Sequence, residues 1–347
     1  MGVTRPLTVV SVAYPFAPVS ADPAGGAEQV LAQLDRRLVA DGHRSIVIAA
    51  EGSSCAGDLV PVAAEEGEIT DAMRAVVHAR VRAELAQVIE RERVDLVHSH
   101  GIDFDAYLPD PGLRVLVTLH LPLDWYPPAV LSPTRPDTYL LPVSSSQARG
   151  APVGARLLDP IGNGVDVDSY GPATRKGSFA LMLGRVAPEK GFATAIDAAT
   201  RAGSALVVAG QVYPYAAHQR YFDEDVVPRL DSKRRWVGPI AGVAKRRLLG
   251  QARCLLVPST APETSSLVSM EALASGTPVI AFRSGALPEI VEDGVTGFLV
   301  DDMEGMADAI ARIDAIDPAT CRQVACERFS VARTSGAYLN LYRRLAA

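Results

Sequence analysis

The sequence is poor in aromatic residues and carries no excess of positive charge. Aromatic side chains make up 6% of its 347 residues, and the formal net charge at pH 7 is −6. Nucleic-acid-binding proteins need a basic surface, and those that bind single strands also need rings on which the bases stack. The composition therefore argues against nucleic acid as a partner.

Cysteines and long apolar runs are also scarce. The four cysteines form no C-x-x-C pair and have no histidines at zinc-site spacing. Cys254, inside an apolar run, is predicted to be a core residue. The apolar run Leu7–Ala13 is too short for a signal peptide, and no segment approaches the about 20 apolar residues of a membrane span. We therefore expect a soluble cytoplasmic protein with reduced thiols.

The sequence does contain a regular alternation of strand and helix patterns. Leu7–Ala13 is a β-rich run, Ala21–Gly26 is a loop rich in glycine, proline and aspartate, and a helix extends from near Ala27 to Gly42. The next strand is Ser45–Ala50. This order of strand, glycine loop, helix and strand is a βαβ unit, which predicts a parallel sheet covered by helices.

The alternation continues through the first half of the chain. Met73–Arg91 has helical periodicity, and short buried strands are predicted at Val94–His98, Val115–Leu119 and Tyr139–Val143. The segment Asp124–Asp137 holds four prolines and is predicted to be a long loop.

A second α/β series follows a segment rich in proline, glycine and aspartate, Gly150–Lys176. Its strands are predicted at Phe179–Leu183, Ala205–Ala209, Arg235–Val237, Cys254–Val257, Pro278–Ala281 and Phe298–Val300. The predicted fold class is therefore α/β, with two Rossmann-like doubly wound domains at 1–168 and 169–330. Two such domains in tandem are expected to face each other across a cleft at the carboxyl ends of their strands, where ligands bind.

The strongest functional segment extends from Glu263 to Glu271. It follows the strand that ends at Val257, and a helix is predicted to open near Ser265. The N–H groups of a helix N-terminus suit a diphosphate. A carboxylate beside it can accept hydrogen bonds from sugar or ribose hydroxyls. The alternative is that Glu263 is a loop charge and Glu271 an exposed helix charge.

Two cations follow the first strand of the second series. Arg185 and Lys190 lie five residues apart in a predicted turn. Arginine offers two parallel donors to phosphate oxygens and lysine a mobile charge. Fixed cations of this kind stabilise the negative charge that develops on a departing diphosphate. The alternative is a solvated turn in which Glu189 pairs with Lys190.

Paired glycines and three histidines follow strands in the first half. Gly25 and Gly26 would let the backbone approach a ligand closely ahead of a helix N-terminus, although a double glycine is often only a turn. One interpretation of His98, His100 and His120 is that they bind a metal ion together. No carboxylate stands at a helpful spacing, so hydrogen bonding to hydroxyls is favoured. For His98 we favour a histidine whose bonds are satisfied internally.

Two aromatic residues and two basic clusters leave alternatives open. Trp125 and Tyr126, in the proline-rich loop, either stack on a sugar face or pin the loop. The clusters Lys233–Arg235 and Lys245–Arg247 lack an exposed apolar face, so solvated surface charge is favoured over attachment to a membrane.

Together these segments resemble glycosyltransferase family 4, also described as glycosyl transferases group 1, whose members are retaining enzymes of the two-domain GT-B fold. Each segment is weak alone, whereas the full set in this order is specific. The segments cover most of the chain and are Gly25–Glu28, Asp95–His100, Thr118–His120, Ile161–Asp166, Leu183–Gly191, Glu263–Glu271 and Leu287–Val300.

The resemblance implies that the two domains bind different substrates. The C-terminal domain would hold the nucleotide sugar and the N-terminal domain mostly the acceptor, with the last helix, 331–347, crossing back onto the N-terminal domain. Arg185 and Lys190 would grip the diphosphate. Glu263 would contact the transferred sugar, and Glu271 would contact the ribose.

The reaction implied by the resemblance is front-face transfer. The acceptor hydroxyl attacks from the leaving-group side, and the departing phosphate oxygen takes its proton. Gly25 and Gly26 would approach the donor phosphates, and His120 would lie by the reacting sugar. No metal or cofactor is implied besides the donor, for which a UDP-sugar is favoured and a GDP-sugar is second. The acceptor is a small molecule, a glycan or a glycolipid, and membrane association is not indicated.

One segment departs from the family pattern. Residues 264–267 read Thr-Ser-Ser-Leu, where family members carry an aromatic or small residue and then glycine. We expect the hydroxyls of Ser265 and Ser266, with Leu267, to meet the donor phosphates in place of some backbone contacts. The alternatives are a degenerate relative that binds a nucleotide sugar or a partner protein without transfer, and an epimerase or phosphorylase on the same scaffold.

Overall fold

A computed structural model describes residues 5–20, 25–64, 67, 69–173 and 175–347. The chain divides into two units, Met1–Gly162 with Thr334–Ala347, and Asn163–Arg333. Each unit contains a parallel sheet of six strands, which confirms the predicted α/β class. The loop predicted from Ala21 lies outside the described residues as far as Ala24.

The first sheet has the strand order β3-β2-β1-β4-β5-β6. Its strands are β1 (Thr8–Val12), β2 (Arg44–Ala50), β3 (Asp58–Val62), β4 (Leu96–Ser99), β5 (Val115–Leu119) and β6 (Thr138–Pro142). The helices between them are α1 (Gly26–Ala40), α2 (Asp71–Arg91) and α3 (Ser145–Arg149).

The second sheet has the order β12-β11-β10-β7-β8-β9. Its strands are β7 (Phe179–Val186), β8 (Ala205–Val212), β9 (Arg234–Trp236), β10 (Cys254–Val257), β11 (Val279–Phe282) and β12 (Gly297–Val300). The helices are α4 (Phe192–Arg201), α5 (Ala216–Tyr221), α6 (Gly242–Gln251), α7 (Leu267–Ala274), α8 (Leu287–Ile290), α9 (Met303–Arg312) and α10 (Pro318–Arg328).

The predicted strands are present in the structure because their side chains are apolar on both faces. Every residue of β5 and β10 is buried, as expected for central strands of a sheet with helices on both sides. Cys254 is one of these core residues, as predicted. On α1 the side chains of Val30, Leu31, Leu34 and Leu38 face the core, which confirms its predicted amphipathic stripe.

Three local features differ from the sequence predictions. Strand β3 was not predicted because Pro61 interrupts a short, half-exposed run; the strand lies at the sheet edge, where proline is tolerated. The proline-rich segment contains two short 3₁₀ turns, Leu123–Trp125 and Pro128–Leu131. Helix α7 begins at Leu267, two residues after the predicted position.

The last helix, α11 (Val331–Ala346), supplies two buried tyrosines to the first unit. The Tyr342 hydroxyl lies 2.7 Å from Nδ1 of His98, and Nε2 of His98 lies 2.7 Å from Oγ1 of Thr118. The Tyr338 hydroxyl is 3.2 Å from the same threonine oxygen. This network connects α11 to β4 and β5 through groups that water does not reach.

Within the described ranges, no helix combines the length and the apolarity that crossing a membrane requires.

Removing the Tyr342 hydroxyl is expected to destabilise the first unit. Tyr342→Phe leaves Nδ1 of His98 buried and unbonded, which costs about 1–3 kcal/mol of unfolding free energy. The measurement is urea unfolding in a Trp236→Phe background, where Trp125 is the only tryptophan and reports on the first unit. Tyr139→Phe, at a partly exposed site on β6, is the control. Equal effects in the two variants would contradict the network.

Candidate functional site

The second sheet reverses its strand order between β7 and β10. From this neighbouring pair, the chain builds outward to β8 and β9 on one side and to β11 and β12 on the other. In open α/β sheets, ligands bind at the carboxyl ends of the two strands where this reversal occurs. Arg185 lies at the carboxyl end of β7 itself and not in the predicted turn, because the strand continues to Val186. Lys190 and Glu263 lie in the loops after β7 and β10, so the topology brings the three residues to one place.

The two loops are in backbone contact. Thr260 in the β10 loop donates its N–H to the carbonyl of Glu189 in the β7 loop at 2.9 Å. Gly191 has φ 72°, and a Cβ on it would lie 2.3 Å from the carbonyl oxygen of Pro258. Glycine is therefore required at position 191 by conformation and by this close approach.

Ion pairs fix the predicted cations. Nζ of Lys190 lies 2.6 Å from Oε1 of Glu263, and Nη2 of Arg185 lies 2.8 Å from Oε1 of Glu189. The alternative pairing of Glu189 with Lys190 is therefore wrong, because the lysine turns toward the neighbouring loop. Nε of Arg185 is buried and has no hydrogen-bond partner among the described residues.

Glu263 is held from several sides. Its carboxylate also accepts a hydrogen bond from the Ser259 hydroxyl, and its carbonyl accepts the N–H of Ala286 at 2.7 Å. A Cβ at Gly285 would lie 2.2 Å from that carbonyl, so the segment before α8 packs directly on the glutamate backbone. The side chain retains only 10% exposure. Glu263 is thus an oriented carboxylate, and the interpretation as a simple loop charge is wrong.

The two serines before α7 differ in their bonding. The Ser266 hydroxyl lies 2.7 Å from the Ser269 hydroxyl and does not cap the helix. The Ser265 hydroxyl is buried and has no partner within the described part of the chain. Ser265 is therefore the better placed of the two to bind a ligand at the N-terminus that Leu267 opens.

Glu271 is a fully buried carboxylate of α7. It accepts hydrogen bonds from the Tyr170 hydroxyl at 2.8 Å and from Nζ of Lys245 at 2.7 Å. The interpretation of Glu271 as an exposed helix charge is wrong, and so is that of Lys245 as solvated surface charge. Helix α6 packs against α7 and turns this lysine inward, leaving its side chain 15% exposed.

The first sheet reverses its order between β1 and β4, and the three histidines lie on β4 and after β4 and β5. His98 is fully bonded inside the unit, as predicted. Nδ1 of His100 lies 3.0 Å from Nε2 of His120. Burial lowers the pKa of His98 and His100 well below the ordinary value and that of His120 to about 4, so these rings are neutral at pH 7. Across the described residues no group of three or more metal-binding side chains is suited to hold an ion.

Gly25 precedes the first turn of α1, and the Glu28 side chain folds over it. A Cβ on Gly25 would lie 1.8 Å from Oε2 of Glu28. The Glu28 carboxyl is buried, and this burial raises its pKa. Because the charged form is disfavoured there, the carboxyl opposes an anion beside Gly25 and Gly26 less than an exposed glutamate would.

The two aromatic residues of the proline-rich segment have separate roles. Tyr126 is 2% exposed and packs against Phe104, with ring centroids 6.4 Å apart, so it pins the loop. Trp125 is 43% exposed, so its ring is accessible for stacking.

Comparisons with known proteins agree with this architecture. Residues 24–149 match the family described as Glycosyltransferase Family 4, and residues 178–314 match Glycosyl transferases group 1. AviGT4, a glycosyltransferase involved in avilamycin A biosynthesis, aligns with a TM-score of 0.74 at 26% identity over 98% of both chains. HepE of Anabaena, solved with UDP and glucose, aligns with a TM-score of 0.73 at 17% identity over 96% of this chain and 99% of HepE.

Curated relatives are matched over part of their length. D-inositol 3-phosphate glycosyltransferase of Saccharomonospora viridis is 32% identical over 231 residues, which are 57% of this chain and 52% of the relative. The chain spans about half the length of the curated relatives it matches.

The two doubly wound units and their relatives place the chain in the class of GT-B proteins. Because these two family matches extend over both units, the chain belongs to glycosyltransferase family 4, whose second region is described as Glycosyl transferases group 1.

Sequence reasoning missed the partners of the charged residues. Lys245 and Tyr170 were not assigned to Glu271, since they are 26 and 101 positions away from it in the chain. One signal for the burial of Glu271 was available, because Met270, Ala272 and Leu273 surround it with apolar residues and a helix that is apolar all round is buried.

Replacing Lys245 is expected to destabilise the second unit strongly. Lys245→Met leaves the Glu271 carboxylate buried without its cation, which costs about 3–5 kcal/mol. Urea unfolding in a Trp125→Phe background, where Trp236 reports on the second unit, measures the change. The double variant Lys245→Met/Glu271→Gln should recover part of the loss, and Lys233→Met, at an exposed site, is the control. If Lys245→Met loses no more stability than the control variant, the Lys245–Glu271 ion pair is contradicted.

The buried histidines predict a loss of stability in mild acid. The unfolded chain binds protons at histidine near pH 6.5, whereas the folded histidines titrate lower. Below about pH 6.5 the unfolded state therefore holds more protons, and each such histidine lowers the unfolding free energy by about 1.4 kcal/mol per pH unit. This contribution continues until the pH reaches the folded pKa, about 4 for His120.

Urea unfolding of the first unit at pH 7.5, 6.0 and 5.0 measures this dependence. His120→Gln should make the slope shallower by one proton because it removes one buried imidazole. An unchanged slope would show that His120 is not protonated preferentially in the unfolded chain.

Proposed function

We propose that the chain is a retaining glycosyltransferase. It moves a sugar from a nucleotide diphosphate sugar, with UDP favoured and GDP second, to a hydroxyl of a small-molecule, glycan or glycolipid acceptor. The observation that carries the proposal is the Lys190–Glu263 ion pair, which joins the loops after β7 and β10 at the reversal of the second sheet.

The donor diphosphate is assigned to Arg185 and Lys190. Both cations are already oriented by carboxylates, so little side-chain freedom is lost when a ligand binds. Nε of Arg185 and the hydroxyl of Ser265 are buried polar groups that phosphate oxygens would complete. The N-terminus of α7, opened by Leu267, adds the positive end of a helix dipole.

The two glutamates are assigned to the sugar and the ribose. Glu263 would accept hydrogen bonds from the transferred sugar, since its carboxylate is oriented by Lys190 and Ser259. Glu271 would accept from ribose hydroxyls in an orientation fixed by Lys245 and Tyr170. The contacts of Gly25, Gly26, Ser266 and His120 with the donor stay predictions.

The transfer proceeds at the front face of the sugar. The bond from the anomeric carbon to the phosphate oxygen breaks, the bond to the acceptor oxygen forms on the same face, and the phosphate oxygen takes the acceptor proton. Arg185 and Lys190 stabilise the negative charge that develops on the leaving diphosphate, so no metal or further cofactor is needed.

The comparisons support a nucleotide-sugar donor in general terms. HepE, which shares the fold, was solved with UDP and glucose, and the Saccharomonospora relative is named D-inositol 3-phosphate glycosyltransferase. The UDP bound to HepE favours UDP as the first nucleotide to test. The comparisons leave the acceptor of this chain to experiment.

The proposal predicts binding of one nucleoside diphosphate and loss of turnover without its cations. A ligand at a hundredfold excess over Kd stabilises the native state by about 2.7 kcal/mol. A thermal-shift panel therefore identifies the base; it contains uridine, guanosine, adenosine and thymidine diphosphates, each with and without chelator. Arg185→Ala should abolish both the shift and sugar transfer while keeping the unliganded melting temperature. Lys190→Ala should abolish both as well, with a lower unliganded melting temperature because Glu263 is left largely buried without its cation.

Arg283→Ala is the matched control, because that arginine pairs with Asp293 at an exposed position and should leave turnover unchanged. A shift without sugar transfer would favour the degenerate relative that binds a nucleotide sugar, and a panel without any shift would favour the one that binds a partner protein. Phosphate-dependent cleavage of an oligosaccharide without nucleotide would favour a phosphorylase.

A further inference from the structure

His218 lies close to the predicted diphosphate site, although no sequence motif marks it. It belongs to α5, which follows β8, and β8 pairs with β7 in a register that sets Gln211 opposite Arg185. The segment from Tyr213 to His218 therefore leaves the sheet at the same edge as Arg185, the edge at which ligands bind in this fold.

Two buried polar atoms at this edge lack partners. Nδ1 of His218 and Nε of Arg185 are both shielded from water, and neither has a hydrogen-bond partner among the residues that the structure describes. Buried polar groups in folded proteins are nearly always bonded, and each exception calls for a cause. A ligand that bonds both atoms accounts for the two exceptions together.

The surroundings of His218 select the kind of ligand. Burial lowers the pKa of His218, and the positive charge of Arg185 lowers it further, against the opposing charge of Glu189. The ring is therefore neutral at pH 7, with one nitrogen available as an N–H donor. A guanidinium beside an imidazole N–H attracts an anionic acceptor and repels a metal cation.

The ring of His218 also has an aromatic contact on one side. Tyr215 packs against it edge to face, with centroids 5.2 Å apart and an interplanar angle of 84°. A neutral imidazole N–H and an arginine oriented by Glu189 together offer two donors to phosphate oxygens.

We propose that His218 binds the donor, with its Nδ1–H hydrogen-bonded to an oxygen of the diphosphate beside Arg185. This inference rests on the proposed function and adds a third side chain to the two cations assigned above. It also gives the segment after β8 a part in donor binding that the sequence did not indicate.

Substitutions that separate the two ring nitrogens test the inference. Asparagine places an amide N–H near the position of Nδ1, glutamine places one near Nε2, and phenylalanine keeps the ring volume without a donor. The affinity of each variant is measured by titration calorimetry with the nucleoside diphosphate that shifts the wild-type protein. We expect about tenfold weaker binding for His218→Ala, His218→Phe and His218→Gln, and near-wild-type binding for His218→Asn.

Gln219→Ala, the next residue of the same short helix and exposed, is the control and should bind like wild type. Unliganded melting temperatures within a degree or two of wild type show that the variants are folded. Wild-type affinity in His218→Ala and His218→Phe would overturn the inference, and so would an equal loss in all four variants including asparagine. A wild-type protein that binds no nucleoside diphosphate would overturn the proposed function itself, and this inference with it.

Discussion

The ion pair between Lys190 and Glu263 is the contact on which the site in the second unit depends. The two residues are 73 positions apart, yet each follows one of the two strands at which the sheet reverses its order. Their attraction acts in a partly buried setting, where charges are screened less than at the surface. The tight approach of Gly191 to Pro258 and the bond from Thr260 to Glu189 make the same connection through the backbone.

Helix α7 presents its N-terminus beside this pair and is fixed at other points by buried polar contacts. Lys245 and Tyr170 bind the Glu271 carboxylate in its middle, and Nη1 of Arg322 donates to the carbonyl of Ala274 at its end. The same arginine atom also donates to the carbonyl of Tyr170, so the helix and the segment before β7 share one anchor. These contacts hold in place the end of α7 that is proposed to meet the diphosphate.

The sequence predicted the strands well because apolar residues on both faces leave a continuous signal, as in β5 and β10. It did not predict β3, because this half-exposed edge strand with Pro61 lacks the continuous apolar signal. The motifs marked Arg185, Lys190, Glu263 and Glu271. Arg185 pairs locally with Glu189, but Lys190 pairs with Glu263 across 73 positions and the partners of Glu271 lie 26 and 101 positions away, which depends on packing that no local pattern records. The sequence did not mark His218 either, because the burial of its Nδ1 is visible only in the folded chain.

The return of helix α11 to the first unit has a consequence for synthesis on the ribosome. The sheet of that unit is translated first, but Tyr338 and Tyr342, which bond to Thr118 and His98, are translated only after the whole of the second unit. Domains generally fold as they emerge. Here the second unit has all its residues before the first has its last helix, and until then the imidazole of His98 lacks its tyrosine partner. The half of the protein made first is therefore the half completed last.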